Sequence, residues 1–391
     1  MSNKILIVAG DHSADIYCAG LAGCLLKKSN NLEIFALGGE KLKALPEVKF
    51  VYNLVNETVM GFYEVLKKYF TFRCIYREVV LAFLKQQKPC AVVLVDFYGF
   101  NINVARAAKE LKIPVIYYIS PKIWAWNTAR IKKLKEFVDK MLVIFPFEEE
   151  LFRKAGMDVV YVGNPLLDIV CPGKKKQDIL KEFNLKEDLP IVGLMPGSRM
   201  QEVDYILPVM LASAKTISEK QKAQYVLILA GSVPRSYIER KYNFEGINCK
   251  IVEDKDYNLR SIMTLALTAA GTATLENAYL GLPMIIVYKM SRISYLIAKR
   301  LVRIPDIGLA NIVAGKRIVP ELIQNEASRK NISDIAVNWL GNPDSLSRVR
   351  DELVQVRKKM GQPGVNDRVA GIINDFIKKQ DSIMPYAAGN I

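Results

Sequence analysis

The sequence predicts an α/β chain that makes the same kind of domain twice, each with short apolar strands alternating with helices and folding into a parallel sheet covered on both faces. Two stretches carry this expectation. Leu265 to Val287, LALTAAGTATLENAYLGLPMIIV, reads strand, small-residue turn, helix, turn, strand in immediate succession, with Gly281 and Pro283 closing the helix. Lys4 to Lys27 opens the chain the same way: the apolar strand Lys4 to Ala9, the polar turn Gly10 to Asp15, then a helix from about Ile16. The 391 residues suffice for about two domains, each able to bury its own core.

In order, Ile34 to Leu37 reads as the second strand, ending in Gly38-Gly39. Val59 to Leu84 carries apolar residues at helical spacing (Val65, Tyr69, Phe72, Tyr76, Val79, Phe83) with Lys67, Lys68, Arg73 and Arg77 interleaved. That pattern suits a pair of core helices, or an amphipathic surface whose apolar side enters a bilayer while the basic residues meet lipid phosphates. Cys90 to Val95 is a buried strand with Asp96 at its end, and Ile113 to Ile119 another, followed by Ser120-Pro121 and by Trp124 and Trp126. Met141 to Phe145 and Val159 to Val162 follow, and Gly163-Asn164-Pro165 closes the half.

Cys171 to Leu189 is charged and punctuated by Pro and Gly, so the boundary is placed there: residues 1–170 form one domain and 171–359 the other. Ile191 to Met195 runs into Pro196-Gly197-Ser198-Arg199 and a helix beginning at about Met200. Tyr225 to Ala230 and Cys249 to Val252 are further strands, and Tyr295 to Val302 is helical with Lys299, Arg300 and Arg303 at its far end. Leu346 to Lys359 and Val369 to Lys379 are amphipathic helices, the last stretch (about 360–380) expected to return to the first domain.

Composition narrows the chemistry. With 51% hydrophobic and 24% charged residues the chain is ordinary for a globular protein. The N-terminus turns polar after five residues, unlike a signal peptide, and no run of about 18 apolar residues is present. The six cysteines form no CxxC pair and read as reduced and cytoplasmic. His12 is the only histidine, which removes most zinc-hydrolase and Ser-His-Asp schemes. The net charge of +15 fits an anionic partner, or only a solvated basic surface; no nucleic-acid module is recognisable.

The two turns of the second half suit a nucleotide diphosphate, since amides at a helix start and the guanidinium of Arg199 favour anions. Glu276, just after Gly271-Thr272-Ala273-Thr274, reads either as a capping residue of the first helical turn or as the acceptor of both ribose hydroxyls. Asp96 is a turn former or a general base. Asp11, His12, Ser13 and Asp15 bind a second substrate or cap the first helix, and Asn311 fixes a loop or contacts substrate.

In this order GDHSAD (Gly10 to Asp15), MGFYEVL (Met60 to Leu66), VDFYGFN (Val95 to Asn101), SPKIWAW (Ser120 to Trp126), PGSR with Glu202, AGTATLE (Ala270 to Glu276) and AKRLV (Ala298 to Val302) leading to LANIVAG (Leu309 to Gly315) closely resemble the bacterial lipid-A-disaccharide synthase family, nearly end to end. The resemblance implies a GT-B architecture, two Rossmann-like doubly wound domains facing an interdomain cleft. It implies an inverting hexosyltransferase that moves 2,3-diacylglucosamine from UDP to 2,3-diacylglucosamine 1-phosphate, with no metal or cofactor, at the cytoplasmic face of the inner membrane.

Under it Asp96 and Arg199 are the catalytic pair. Gly197, Ser198, Glu202, Gly271, Thr272, Ala273, Thr274, Glu276 and Asn311 join Arg199 on the donor, and Asp11, His12, Ser13, Asp15, Met60, Gly61 and Glu64 meet the acceptor. Whether the C-terminal helices dock on their own subunit or on a homodimer partner is left open. Three stretches depart from the family pattern: Asp11 with Ala14 where Glu-His-Ser-Gly-Asp is common, Asn164 where His stands, and Gly99 where many members carry a second aspartate. The rival readings are a UDP-N-acetylglucosamine 2-epimerase, the transferase making the peptidoglycan lipid intermediate, and a nonenzymatic lipid- or nucleotide-binding scaffold.

Overall fold

The computed structural model describes residues 3–29, 31–57, 70–125, 129–301 and 305–383. The chain divides into two compact units, Met1–Asp168 with Met360–Ile391, and Ile169–Lys359.

In the first unit seven parallel strands are ordered β3-β2-β1-β4-β5-β6-β7: β1 Lys4–Ala9, β2 Glu33–Gly38, β3 Val48–Asn53, β4 Ala91–Val95, β5 Val115–Tyr118, β6 Lys140–Val143 and β7 Val159–Tyr161. β1 and β4 are apolar almost throughout and fully covered, as strands flanked by helices on both faces must be. β3 escapes the sequence reading because it is an edge strand, half-exposed along most of its length, and so carries no continuous apolar run.

The chain returns to this unit after Lys359 through Asn164 and Asp168. Asn164 is buried, its N–H donates to the Met360 carbonyl (3.1 Å) and its Oδ1 accepts from Leu166 N (3.0 Å). Asp168 accepts the N–H groups of Gly364 (2.5 Å) and Asn366 (2.9 Å), and Lys28 pairs with Asp367 at 2.9 Å. The final helix, Val365–Ile383, thus packs against the first, His12–Lys28. Asn164 thus has a structural task.

In the second unit six parallel strands are ordered β10-β9-β8-β11-β12-β13: β8 Ile191–Met195, β9 Gln224–Ile228, β10 Cys249–Val252, β11 Leu265–Ala269, β12 Met284–Tyr288 and β13 Glu321–Ile323. The boundary stretch Cys171 to Leu189 is not loose: Lys176–Glu182 is a helix that buries Ile179 and Leu180. Its neighbours Lys174, Lys175 and Lys176 hid that short apolar pair in the sequence.

Both sheets reverse direction of winding at one place, between β1 and β4 in the first and between β8 and β11 in the second. The C-terminal ends of strands at such a reversal splay their loops apart and leave a crevice, which is where ligands bind in open α/β sheets. Among the described residues, no helix is long and apolar enough to cross a membrane.

Candidate active site

At the reversal of the first sheet Ala9 lies beside Val95, so Gly10-Asp11 and Asp96 leave the sheet as neighbours. Asp96 and Phe97 both have φ of 45°, a left-handed conformation costing about 1–2 kcal/mol per non-glycine residue. The surroundings hold it. Asp96 N donates to the Ile119 carbonyl (3.1 Å), its own carbonyl accepts from Asn101 Nδ2 (2.9 Å) and from the Tyr117 hydroxyl, and its Oδ1 accepts from Phe97 N (2.9 Å). Gly10 is needed because a β-carbon there would lie 2.2 Å from Phe97 Cδ1. Burial, reinforced by the negative charge of Asp11, raises the Asp96 carboxyl to about 6, while Lys122 and the Phe97 N–H pull it down.

The residues around it divide by role. Asp11 caps the first helix, accepting from Ala14 N at 2.8 Å, and that helix begins at His12, four residues earlier than the sequence suggests. His12 is exposed and Ser13 half-buried on its first turn. Asp15 is committed to the backbone. It is buried and accepts from Gly39 N (2.7 Å), Lys41 N (2.8 Å) and Leu42 N (3.2 Å), capping the short helix Glu40–Lys43. Met60, Gly61, Glu64 and Trp126 lie outside the described residues.

Two residues absent from the sequence-derived site belong to it. Lys122, in the loop after β5, is exposed and its charge acts on Asp96. Glu148, buried in the helix Pro146–Lys154, accepts from the Ser120 hydroxyl (2.6 Å) and Trp124 Nε1 (3.0 Å) on one oxygen and from Phe145 N (3.1 Å) on the other. It clamps the loop that carries Lys122. Burial raises its carboxyl to about 7 against the lowering effect of those hydrogen bonds. One of three successive glutamates in PFEEELF gives no sign of this in the sequence, because its side-chain partners Ser120 and Trp124 lie more than 20 residues away.

At the reversal of the second sheet Met195 lies beside Thr268, so Pro196–Arg199 and Ala270–Thr272 form adjacent corners. Gly197 has φ +114°, and a β-carbon there would lie 2.6 Å from Glu202 Oε2. Glu202 pairs with Arg199 Nη1 at 3.0 Å and so holds that half-exposed guanidinium beside the corner; Ser198 is exposed, its carbonyl accepting from Ser232 Oγ at 2.5 Å. Arg199 precedes the helix Met200–Lys220 and Gly271 precedes the helix Thr272–Tyr279, whose first amides have no acceptor within their own helix. Gly271, Thr272 and Ala273 are half-buried, and a β-carbon on Gly271 would meet nothing within 4 Å. Thr274 faces inward: it is buried and its hydroxyl donates to the Gly271 carbonyl at 2.8 Å, so it shapes the corner.

Glu276 is not a first-turn cap, because the helix begins at Thr272 and places it at the start of the second turn. Its Oε2 instead accepts from Arg260 Nη1 at 2.5 Å. Asn311 fixes a loop, the first of the two readings the sequence allowed. It is fully buried, with Nδ2 donating to Val319 O (2.9 Å) and Glu321 Oε1 (2.8 Å) and Oδ1 accepting from Ile318 N (2.9 Å) and Val319 N (3.1 Å).

Two doubly wound units in one chain, each with its polar corners at the strand-order reversal, have the GT-B architecture of sugar-nucleotide enzymes. The fold is shared, over the full length of both chains, with the S. aureus MnaA–UDP co-structure (TM-score 0.66, 12% identity). It is shared also with UDP-GlcNAc 2-epimerase from Neisseria meningitidis bound to UDP-GlcNAc (TM-score 0.63, 16% identity, 96% of this chain and 100% of that one). CalG4, the calicheamicin glycosyltransferase, matches with TM-score 0.63 and 13% identity over 97% of this chain and 99% of that one. The chain belongs to the lipid-A-disaccharide synthetase family, whose model matches residues 5–373. It is 38% identical to the lipid-A-disaccharide synthase of Syntrophus aciditrophicus over 97% of this chain and 99% of that one, and 34% identical to that of Coxiella burnetii over 96% and 100%.

Proposed function

We propose that the protein transfers 2,3-diacylglucosamine from UDP to the 6-hydroxyl of 2,3-diacylglucosamine 1-phosphate, giving the β-1,6 disaccharide 1-phosphate and UDP. The observation that carries this reading is that the strand-order reversal of one unit holds a carboxyl raised to about 6, while that of the other pairs two small-residue corners with Arg199. A carboxyl of that kind is mostly ionised near neutrality yet basic enough to take a proton, as a general base should be.

Asp96 takes the 6-hydroxyl proton as that oxygen attacks the anomeric carbon. Arg199 and the helix-start amides of the two corners stabilise the departing diphosphate, and Glu276 accepts the ribose hydroxyls. One displacement inverts the anomeric centre with no covalent intermediate. Asp11, His12, Ser13 and Lys122 flank the base, where the Lys122 ammonium suits the acceptor's phosphate. Both substrates carry acyl chains, and the helix Arg292–Leu301 exposes Ile293 (74%) and Leu296 (64%) beside Arg292, Lys299 and Arg300, the composition of a surface that meets an anionic membrane.

Incubating the full-length protein with both lipids and analysing the products by mass spectrometry tests this: a disaccharide and UDP are expected, and UDP binding without product would overturn it. Asp96→Asn should cut turnover by about 10²–10⁴-fold, and Arg199→Ala by about 10²–10³-fold, each with an unchanged circular dichroism spectrum. A wild-type rate in Asp96→Asn removes the base assignment. Because the base must be ionised, wild-type kcat/KM should rise with pH through about 6.

A further inference from the structure

Among the described residues Arg260 is the most deeply buried guanidinium, and the transfer chemistry leaves it without a task. It lies on the short helix Asn258–Ser261, with a side chain only 9% exposed, between two carboxylates. Nε donates to Asp254 Oδ2 at 2.8 Å, and Nη1 to Glu276 Oε2 at 2.5 Å. The Tyr257 ring covers the guanidinium at 4.4 Å, and the Tyr257 hydroxyl also bonds the Glu276 side chain.

The two carboxylates are not equivalent. Asp254 is 1% exposed at its side chain and also accepts from Leu259 N at 3.3 Å, so it is an anchor. Glu276 is 18% exposed, and a carboxylate has about four acceptor sites, of which Arg260 and Tyr257 occupy two. Its remaining acceptor capacity is on a side chain within six residues of the Gly271 corner. Buried ion triads bring a desolvation cost that apolar side chains of similar volume avoid, so stability alone is a poor account of this one. A planar fork fixed at one end by Asp254 instead sets the plane and the tilt of the carboxylate at the other end.

We propose that Arg260, anchored by Asp254 and assisted by the Tyr257 hydroxyl, is a positioning residue that aims Glu276 at the ribose hydroxyls of the donor, so that discrimination of ribose from deoxyribose depends on this relay. The inference rests on the reading of Glu276 as the ribose acceptor and adds the residues that make it selective. A carboxylate left free to rotate would still be anionic but would no longer meet the hydroxyls in register. The effect is therefore confined to ligands that carry them.

Calorimetric titration of the full-length protein with UDP and with 2′-deoxy-UDP separates the possibilities. Wild type should bind UDP about tenfold more tightly than the deoxy ligand, equivalent to ~1.4 kcal/mol. Arg260→Lys, which keeps the charge and loses the fork, should weaken UDP about tenfold and 2′-deoxy-UDP, which keeps the 3′-hydroxyl, by less, and so shrink the preference. Tyr257→Phe, which leaves both ion pairs in place, should lower the preference about threefold. A wild type with no preference removes the ribose reading of Glu276 and this inference with it. An undiminished preference in Arg260→Lys, the result that an equal weakening of both ligands gives, overturns the inference alone. If Arg260→Lys does not fold, Tyr257→Phe decides: an unchanged preference overturns the proposal and a reduced one upholds it.

Discussion

Asp96 shows how much of a site depends on backbone placement that no single residue announces. Its left-handed φ, the close packing of Phe97 on Gly10 and the carbonyl bonds from Tyr117 and Asn101 all turn one carboxyl out of the strand end, where burial, and after it Asp11 and Lys122, set its charge state. The adjacent departure from the family pattern can be tested. Gly99 is exposed in the first turn of the helix Tyr98–Glu110, and a β-carbon there would meet nothing within 4 Å. Gly99→Asp should therefore fold, gaining about 0.5–1 kcal/mol from removal of a helical glycine and from negative charge at the helix start. The same charge, three residues from Asp96, should move the acid limb of kcat/KM above its wild-type position near pH 6. Urea unfolding and a pH–rate profile measure the two effects; a destabilised variant, or an unmoved limb, would count against this picture. In the sequence Asp11, Asp15 and Asn311 were equally plausible ligands. Asp15 and Asn311 hold backbone instead: the N–H groups that satisfy Asp15 lie 24 to 27 residues away and those of Asn311 in a loop beyond its own helix, pairings that a linear pattern does not encode.

At the scale of elements, strands with long apolar runs and the corners that follow them were legible, while pieces that depend on a neighbour were not. β1, β4, β8 and β11 are apolar throughout or nearly so because both faces are covered; β3 and β13, at sheet edges, were missed. The loop after β5 is a similar case, since what shapes it is Glu148 on a later helix. A carboxyl raised from an ordinary value near 4.5 to about 7 favours the folded state in its protonated form. That contribution is fully present below about pH 4.5, falls as pH rises through about 7, and amounts to ~3 kcal/mol across the window at about 1.4 kcal/mol per pH unit. Glu148→Gln cannot ionise, so the stability difference between wild type and this variant should shift in the variant's favour from pH 5 to pH 8. Denaturant midpoints at the two pH values measure it. A difference independent of pH would show that Glu148 ionises without cost and that its clamp on Ser120 and Trp124 is insensitive to charge.

For the whole molecule, the alternation of strands and helices was evident from the sequence but the order of strands was not, and the order is what brings the corners together. Pro196–Arg199 and Ala270–Thr272 are some 70 residues apart and become neighbours only because β8 and β11 pair at the reversal. Charge is the other property that belongs to the whole chain: 55 basic against 40 acidic residues leave +15, a field that favours anions. On the helix Arg292–Leu301 the exposed Ile293 and Leu296 stand among Arg292, Lys299 and Arg300, so a membrane contact there has an apolar and an electrostatic part. The two parts respond differently to salt. Each basic residue near an anionic surface contributes about 1 kcal/mol that salt screens, whereas burying an Ile or Leu contributes about 1.5–3 kcal/mol that salt does not weaken. Sedimentation with vesicles containing phosphatidylglycerol should therefore show wild type bound at low ionic strength and partly released at about 0.5 M salt. Lys299→Ala with Arg300→Ala should bind more weakly at low salt and change little on adding it, while Ile293→Ser with Leu296→Ser should lose binding at both. Wild type that fails to sediment at low ionic strength would remove the membrane contact, and equal behaviour of the two double variants would show that this helix is not where it occurs.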